Sequence, residues 1–331
     1  MKRNLLSKVL RPFLWFIVFI GGTYLIGPRV ASPSLDDNLP EVPSDLDELN
    51  QWIDTKENDN TKIKPGNASH IVFNDSLPKK TKYSVLYLHG FSASLGEGIP
   101  VHQNIASALE ANLYLPRLFE HGLNQEENLL NFTAEGYWES AKEALAVAKQ
   151  LGEKVIVLAT SSGATLALNF GNDPNIAAMV LYSPNVAIYN PASNLLSKPW
   201  GLTIARLVYG GKYHHVKGAN EEKKKYWTTK YRLEALTQLQ KLIDVTMTEK
   251  TFKKIKVPIY MGYFYKNDRI QDKVVSVKAM LKMYDQLGTP KAFKAKKAFP
   301  DGVHEITSNM SSNVTDAVTK ESLTFLNKFL K

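Results

Sequence analysis

Apolar and polar positions divide the chain into a basic and apolar N-terminal stretch, a polar connecting stretch, and a long region where short apolar runs take turns with amphipathic ones. From Ala68 onward the short runs read as strands: His70 to Phe73, Tyr83 to Leu88, Asn112 to Leu118, Lys154 to Thr160, Ala177 to Ser183, Val257 to Tyr265 and Lys291 to Phe299. Thr133 to Leu151 has the apolar spacing of a crossover helix, Gly163 to Asn169 is rich in helix formers, and Val314 to Leu330 reads as a closing helix. Strands alternating with helices predict an α/β fold with a mostly parallel sheet covered on both faces. Pro184 to Lys256 has no clear strand, carries helical stretches around Leu202 to Val208 and Tyr226 to Asp244, and is too long for a plain connection. It predicts an inserted helical cap at about 185–255 over the carboxyl ends of the strands, where ligands of open α/β sheets bind. A helical hairpin packed elsewhere is the plainer alternative.

The N-terminal stretch changes the picture. Residues 1–11 are basic and Pro12 to Pro28 carries no charge, which is the short end of a membrane span. Lys2, Arg3, Lys8 and Arg11 precede it, whereas Asp36, Asp37 and Glu41 lie beyond Arg29. That asymmetry predicts a single-pass transmembrane helix over 1–29 with a cytoplasmic N-terminus and the bulk of the chain extracytoplasmic (periplasmic), so that the membrane is a partner through this helix. A cleaved signal peptide is the alternative, against which Arg29-Val30-Ala31 puts a charge where a small residue is wanted. Ser32 to Pro43 reads as a proline-punctuated acidic spacer and Asp45 to Glu57 as a short helix capped by Ser44, so 30–67 reads as a tether and short helix, and 68–331 as the main domain.

Composition removes several classes of chemistry. With no cysteine there are no disulfides, thiolate metal sites or cysteine nucleophile. The net charge of +9 draws five units from Lys2, Arg3, Lys8, Arg11 and Arg29, leaving lysines spread among acids, as at Glu221 to Lys225, so no nucleic-acid partner is expected. His214 and His215 are adjacent and no H-E-x-x-H occurs, so neither a metal nor a cofactor is expected.

The candidate chemistry centres on Lys154 to Asn169. A buried strand meets a helix at Ala159-Thr160-Ser161-Ser162-Gly163, where small residues and a glycine suit a tight turn that presents Ser161 at the strand's carboxyl end. The plainer reading of Ser161 is a helix cap. As a nucleophile it needs a histidine base and an acid that orients the histidine, and on such a turn these follow in the order serine, acid, histidine. Of the histidines at 70, 89, 102, 121, 214, 215 and 304, only His304, in Pro300-Asp301-Gly302-Val303-His304, comes late enough. Asp268 and Asp272 both follow the strand ending near Tyr265; Asp272 is preferred because Lys273-Val274-Val275 can anchor its turn. Backbone N–H groups of Phe91, in the loop after the Tyr83 to Leu88 strand, and of Ser162 are the candidate oxyanion donors. His89, His121 and Gly122 read as loop-shaping residues.

His89-Gly90-Phe91, Arg117 to Gly122, Ala159 to Gly163, Asp272-Lys273-Val274-Val275 and His304 together resemble the α/β-hydrolase superfamily, nearest its lysophospholipase and monoacylglycerol lipase branch, which shares its scaffold with serine aminopeptidases. The N-terminal stretch, with EGIPVH, YSPN and KPWGL, also resembles membrane-anchored bacterial α/β hydrolases. Two departures stand out: Ala159 replaces the first glycine of the serine motif, and Gly302-Val303-His304 is a loose version of the histidine loop. The resemblance implies a serine hydrolase of acyl esters acting on a small, lipid-like substrate such as a lysophospholipid or monoacylglycerol. Its alternatives are a serine aminopeptidase-like peptidase and an inert hydrolase fold that serves as a binding protein.

Overall fold

The computed structural model describes residues 2–58, 60–171, 173–216 and 218–330, with side chains from Leu10 onward. Helices α1 (Lys2–Leu25) and α2 (Leu46–Asn58) precede β1 (His70–Val72) and β2 (Thr81–Leu88). Then come α3 (Val101–Ala108), β3 (Asn112–Leu115), α4 (Ala134–Leu151), β4 (Gly152–Thr160), α5 (Ser162–Ala167) and β5 (Ile176–Tyr182). The long interval holds α6 (Gly201–Tyr209), β6 (Tyr213–His215), α7 (Glu221–Tyr226), β7 (Lys230–Arg232), α8 (Leu233–Thr246) and α9 (Glu249–Lys254). Strand β8 (Ile259–Phe264), α10 (Val277–Gln286), β9 (Lys294–Phe299) and α11 (Thr315–Leu326) complete the chain. The main sheet runs β1-β3-β2-β4-β5-β8-β9, with β1 antiparallel to β3 and every other pairing parallel.

The continuous apolar run of β4 is buried on both faces, and its two-residue period sorts it between two cores. Val155, Val157 and Ala159 join α4, α2 and the α8 residues Leu239 and Leu242, whereas Ile156 and Leu158 join Val101 and Ile105 of α3 and Val318 and Phe325 of α11. Strand β9 closes one edge with Lys294, Lys296 and Lys297, charges that discourage further strand pairing there.

The long interval departs from the sequence pattern. The helix expected from Tyr226 begins only at Leu233, because Lys230–Arg232 pairs with Tyr213–His215 as a ribbon too short to show alternation. At the other edge, Lys291–Phe293 forms a 3-10 turn ahead of β9.

The expectation of a transmembrane, single-pass anchor is overturned. Among the described residues no helix is long and apolar enough to cross a membrane. Helix α1 contains Pro12, and its uncharged part, from Pro12 to its end at Leu25, is shorter than the roughly 20 residues that a hydrocarbon core of about 30 Å demands. The extracytoplasmic placement drawn from that anchor falls with it; the side chains of Lys2, Arg3 and Lys8, on which the charge bias partly rested, lie outside those described. The far end of the helix instead leads to the long interval, where Trp200 donates from its backbone N–H to Pro28 O at 2.8 Å and from its indole to Thr23 O at 3.1 Å.

The stretch read as a tether is also packed. Trp138 of α4 donates to Asp36 O at 2.6 Å, Lys142 bonds Asp36 Oδ1 at 2.8 Å, and Leu35, Leu39 and Val42 lie against the core. Asp36 is held below the usual carboxylate range chiefly by its hydrogen bond to Lys142. Helix α2 buries Leu49 and Ile53 completely or nearly so. Leu49→Ala should therefore destabilise the chain by about 2–5 kcal/mol through lost burial and a residual cavity, read as a lower urea midpoint. An unchanged midpoint would show that α2 is not part of the cooperative core.

Candidate active site

Ser161 stands where β4 ends and α5 begins, with φ 53° and ψ −118°, a backbone conformation that disfavours any residue with a Cβ and stores about 1–3 kcal/mol. Several bonds hold it there. Its N–H donates to Tyr182 O at 2.9 Å, and its carbonyl accepts from Ala164 N at 3.0 Å and Asn185 N at 2.9 Å. Gly163 is required for close approach, since a Cβ there would lie 2.1 Å from Leu88 O and 2.7 Å from His89 O. Ala159 is buried in strand register opposite Leu88, where its methyl group fits without disturbing the turn.

His304 lies in the loop after β9 and Asp272 in the loop after β8. His304 Nδ1 is 2.6 Å from Asp272 Oδ2, and its Nε2 is 3.0 Å from Ser161 Oγ. A carboxylate can only accept, so Nδ1 carries a proton toward Asp272, and in the neutral imidazole the Nε2 lone pair faces the Ser161 hydroxyl. Asp272 Oδ1 accepts from Val274 N at 2.8 Å and Val275 N at 3.0 Å, which fixes the carboxylate from behind. Burial works against the Asp272 charge, but His304 and these N–H groups outweigh it and hold the carboxyl below its ordinary range. Burial likewise disfavours the His304 cation; the Asp272 carboxylate, with Glu305 and Glu97 behind it, outweighs burial and pushes the imidazole up to about 9.

The other residues marked in the sequence separate clearly. Asp268 sits in an exposed turn, bonded to Tyr265 at 2.9 Å, away from His304. Phe91 packs edge-on against His121, Phe132 and Tyr231, and the loop that carries it abuts the serine: a Cβ on Gly90 would lie 3.1 Å from Ser161 Cβ. The Ser162 N–H belongs to the first turn of α5, where no intrahelical acceptor exists. His89 binds the backbone on both sides, with Nδ1 2.9 Å from Gly90 O and Nε2 accepting from Leu118 N at 3.1 Å; burial pushes it down to about 4, so it is neutral. His121 bonds Phe119 O at 2.7 Å, and Gly122 has φ +67°.

Ser161 and His304 open into a cavity of about 510 Å³ whose walls include Phe91, Ile188, Leu196, Ile204, Val208 and Trp227. Most of these come from the long interval, which thus stands over the serine. Three charged residues at the same cavity carry no site role in the sequence pattern. Lys223 of α7 pairs with Glu305, next to His304, at 2.7 Å, and Glu97 is buried, with Oε2 accepting from Gly90 N at 2.5 Å and from the Tyr87 hydroxyl at 3.3 Å. Burial pushes Glu97 up to about 7. The adjacency of Glu305 to His304 was a usable signal; Glu97 stood only at the head of EGIPVH, with nothing to mark a role at the site.

No family model matches the chain and no curated protein matches it. Solved structures do. A metagenome-derived lipolytic enzyme, LipS or LipT, is similar with a TM-score of 0.66 at 17% identity, over 81% of this chain and 100% of its own. A monoacylglycerol lipase of Paleococcus ferrophilus gives 0.57 at 11% identity, over 79% and 98%. A soluble variant of monoglyceride lipase from Saccharomyces cerevisiae gives 0.57 at 12% identity, over 79% and 92%. At these identities the likeness carries the fold: this is the α/β-hydrolase fold with a mostly parallel central sheet.

The charge geometry can be tested without any substrate. His304 should titrate by NMR near 9, and Asp272→Asn should lower that value by about 1–3 units, because the nearest opposite charge is gone while burial remains. An unmoved titration would remove Asp272 as the cause.

Proposed function

We propose that the chain is a serine hydrolase of carboxylic esters, with Ser161 as nucleophile, His304 as base and Asp272 as the group that holds the imidazole. The observation that carries this reading is the hydrogen-bonded series Ser161–His304–Asp272, at 3.0 and 2.6 Å, at one end of a cavity with apolar walls. Ser161 Oγ attacks the ester carbonyl carbon as its proton passes to His304 Nε2, and the carbonyl oxygen becomes an oxyanion facing the Phe91 and Ser162 N–H groups. When the oxyanion collapses, the bond to the leaving alcohol breaks, His304 returns the proton to that alcohol, and the acyl group stays on Ser161. Water then repeats the sequence and frees the acid. Residues 185–255 act as the cap of a 68–331 hydrolase domain in this reading.

The walls suit an acyl chain, which favours lysophospholipid or monoacylglycerol-like esters within this class. The solved structures named as lipolytic enzymes and monoglyceride lipases lend the same direction. The aligned series also favours chemistry over an inert binding role, because the strained Ser161 backbone has no evident benefit to binding alone.

Ser161→Ala and His304→Ala should each remove nearly all p-nitrophenyl ester hydrolysis, on the order of 10⁶ in turnover, and only Ser161→Ala should abolish fluorophosphonate labelling. Asp272→Asn should lose roughly 10⁴ through the wrong tautomer, while Asp268→Asn stays within about tenfold of the parent. Wild-type hydrolysis by Ser161→Ala would end this reading, and labelling lost in Ser162→Ala instead would move the nucleophile by one residue.

The pH profile gives an independent check. His304 must be neutral to accept a proton, so kcat/KM should rise with pH along a limb near 9, and activity should fall as pH drops below it. A limb at or below the ordinary imidazole value of about 6.5 would mean that the surrounding carboxylates do not govern His304.

A further inference from the structure

We propose that Glu97 is a positioning residue that, together with His89, fixes the Gly90–Phe91 peptide so that the Phe91 N–H faces the oxyanion. This rests on the serine-hydrolase reading and adds a part to it. A side chain at Gly90 is excluded, since a Cβ would sit 2.8 Å from Glu97 Oε1 and 3.1 Å from Ser161 Cβ. The residue before Phe91 is therefore the most permissive in the chain's repertoire, with both dihedrals free unless something outside holds them.

Both polar groups of Gly90 are held. Its carbonyl, which shares one peptide plane with the Phe91 N–H, lies 2.9 Å from His89 Nδ1 and accepts from Ala93 N at 3.3 Å. Its N–H donates to Glu97 Oε2 at 2.5 Å. One clamp sets the peptide before Gly90 and the other the peptide after it, so the two together fix the rotation between them. With only one, the Phe91 N–H could swing away from the serine.

Glu97 is itself rigidly placed. It lies in the 3-10 turn Leu95–Gly98, its carbonyl accepts from Thr307 Oγ1 at 3.1 Å, and Oε2 also accepts from the Tyr87 hydroxyl, which bonds Thr160 at 3.0 Å. Gly98 leaves room beneath it for Tyr87 and His102. A buried carboxyl is an expensive way to fill space, because an apolar side chain of similar size avoids the desolvation cost. Its placement against the one N–H that an apolar side chain would leave unpaired gives the carboxyl a specific task.

Three variants separate the clamp from bulk and charge. Glu97→Gln keeps an acceptor oxygen at the same reach, Glu97→Asp keeps the charge but draws it back by one methylene, and Glu97→Ala removes both. Steady-state ester hydrolysis, end-point fluorophosphonate labelling and thermal unfolding would be measured on the full chain. Loss of a complete oxyanion donor costs about 10²–10³ in kcat, so a misdirected one should cost about 10–100-fold in Glu97→Asp and Glu97→Ala, with KM within about threefold. Glu97→Gln should stay within about fivefold of the parent, and every folded variant should still label to completion at Ser161. Folded Glu97→Asp with parental kcat overturns the proposal, as does a raised KM with kcat unchanged, or a folded Glu97→Gln as poor as Glu97→Asp. If Glu97→Ala does not fold, the Gln and Asp pair decides alone. A wild-type chain that takes no label overturns the hydrolase reading and this one together, whereas a labelled wild type with indifferent Glu97 variants overturns only this one.

Discussion

The structure depends on one approach of backbone to backbone: Gly163, in the first turn of α5, lies against the carbonyls of Leu88 and His89 where β2 ends. Parallel pairing brings Leu88 opposite Ala159, so the two strands finish side by side and the chain must turn at once to begin the helix. That turn forces Ser161 into its disfavoured backbone and presents its side chain beyond the sheet. The same contact sets the loop beginning at His89 against the serine. Strand register, glycine position and local strain are thus successive consequences of one steric condition.

How far the sequence revealed this follows from which causes are local. The strand and turn around Ser161 were legible because a five-residue buried run and a glycine two residues after the serine each mark themselves. Between Asp268 and Asp272, both turn carboxylates, the sequence offered only the apolar residues after Asp272 as a ground for preference. Asp272 differs because the N–H groups of Val274 and Val275 cap it while Val275 is fully buried, and Asp268 turns to Tyr265 in solvent. Glu97 entered only as the first residue of EGIPVH, with no role: its contact with Gly90 joins positions seven apart, and no periodicity encodes that. The N-terminal reading failed on a different point, because the uncharged stretch from Pro12 to Pro28 is not all helix: α1 ends at Leu25, and the uncharged part of the helix is too short for a hydrocarbon core. Likewise a proline-rich acidic composition suggested a free tether, but Asp36 found Lys142 and Trp138 on α4.

The long interval after β5 is not independent of the serine it covers. Tyr226 of α7 packs where Gly96 leaves space for its ring, and Lys223 one turn earlier reaches Glu305, the neighbour of His304. Trp227 N–H closes α7 onto Lys223 O, and Thr228 N donates to Ser92 O at 2.7 Å. Helix α7 and the two residues after it therefore touch the turn that carries Glu97, the loop that carries Phe91 and the loop that carries His304. Their apolar neighbours supply cavity wall, while their polar bonds supply alignment.

A comparison within the molecule isolates what distinguishes His304. Burial, with a smaller push in the same direction from Arg117 on His89 and from His70 on His102, brings both down to about 4, and their hydrogen-bond partners are backbone groups. His304 is largely buried too, yet it moves to about 9; what it has in addition is Asp272 in direct contact with it, and Glu305 and Glu97 nearby. The difference is therefore one of charge, not of exposure. On the proposed reading, that surrounding charge favours the imidazolium formed once Ser161 has given up its proton more than it favours the neutral imidazole that starts the reaction. The same charge protonates the resting imidazole as pH falls below about 9, so it helps the step only where His304 starts neutral; from that state it stabilises the imidazolium that coexists with the oxyanion.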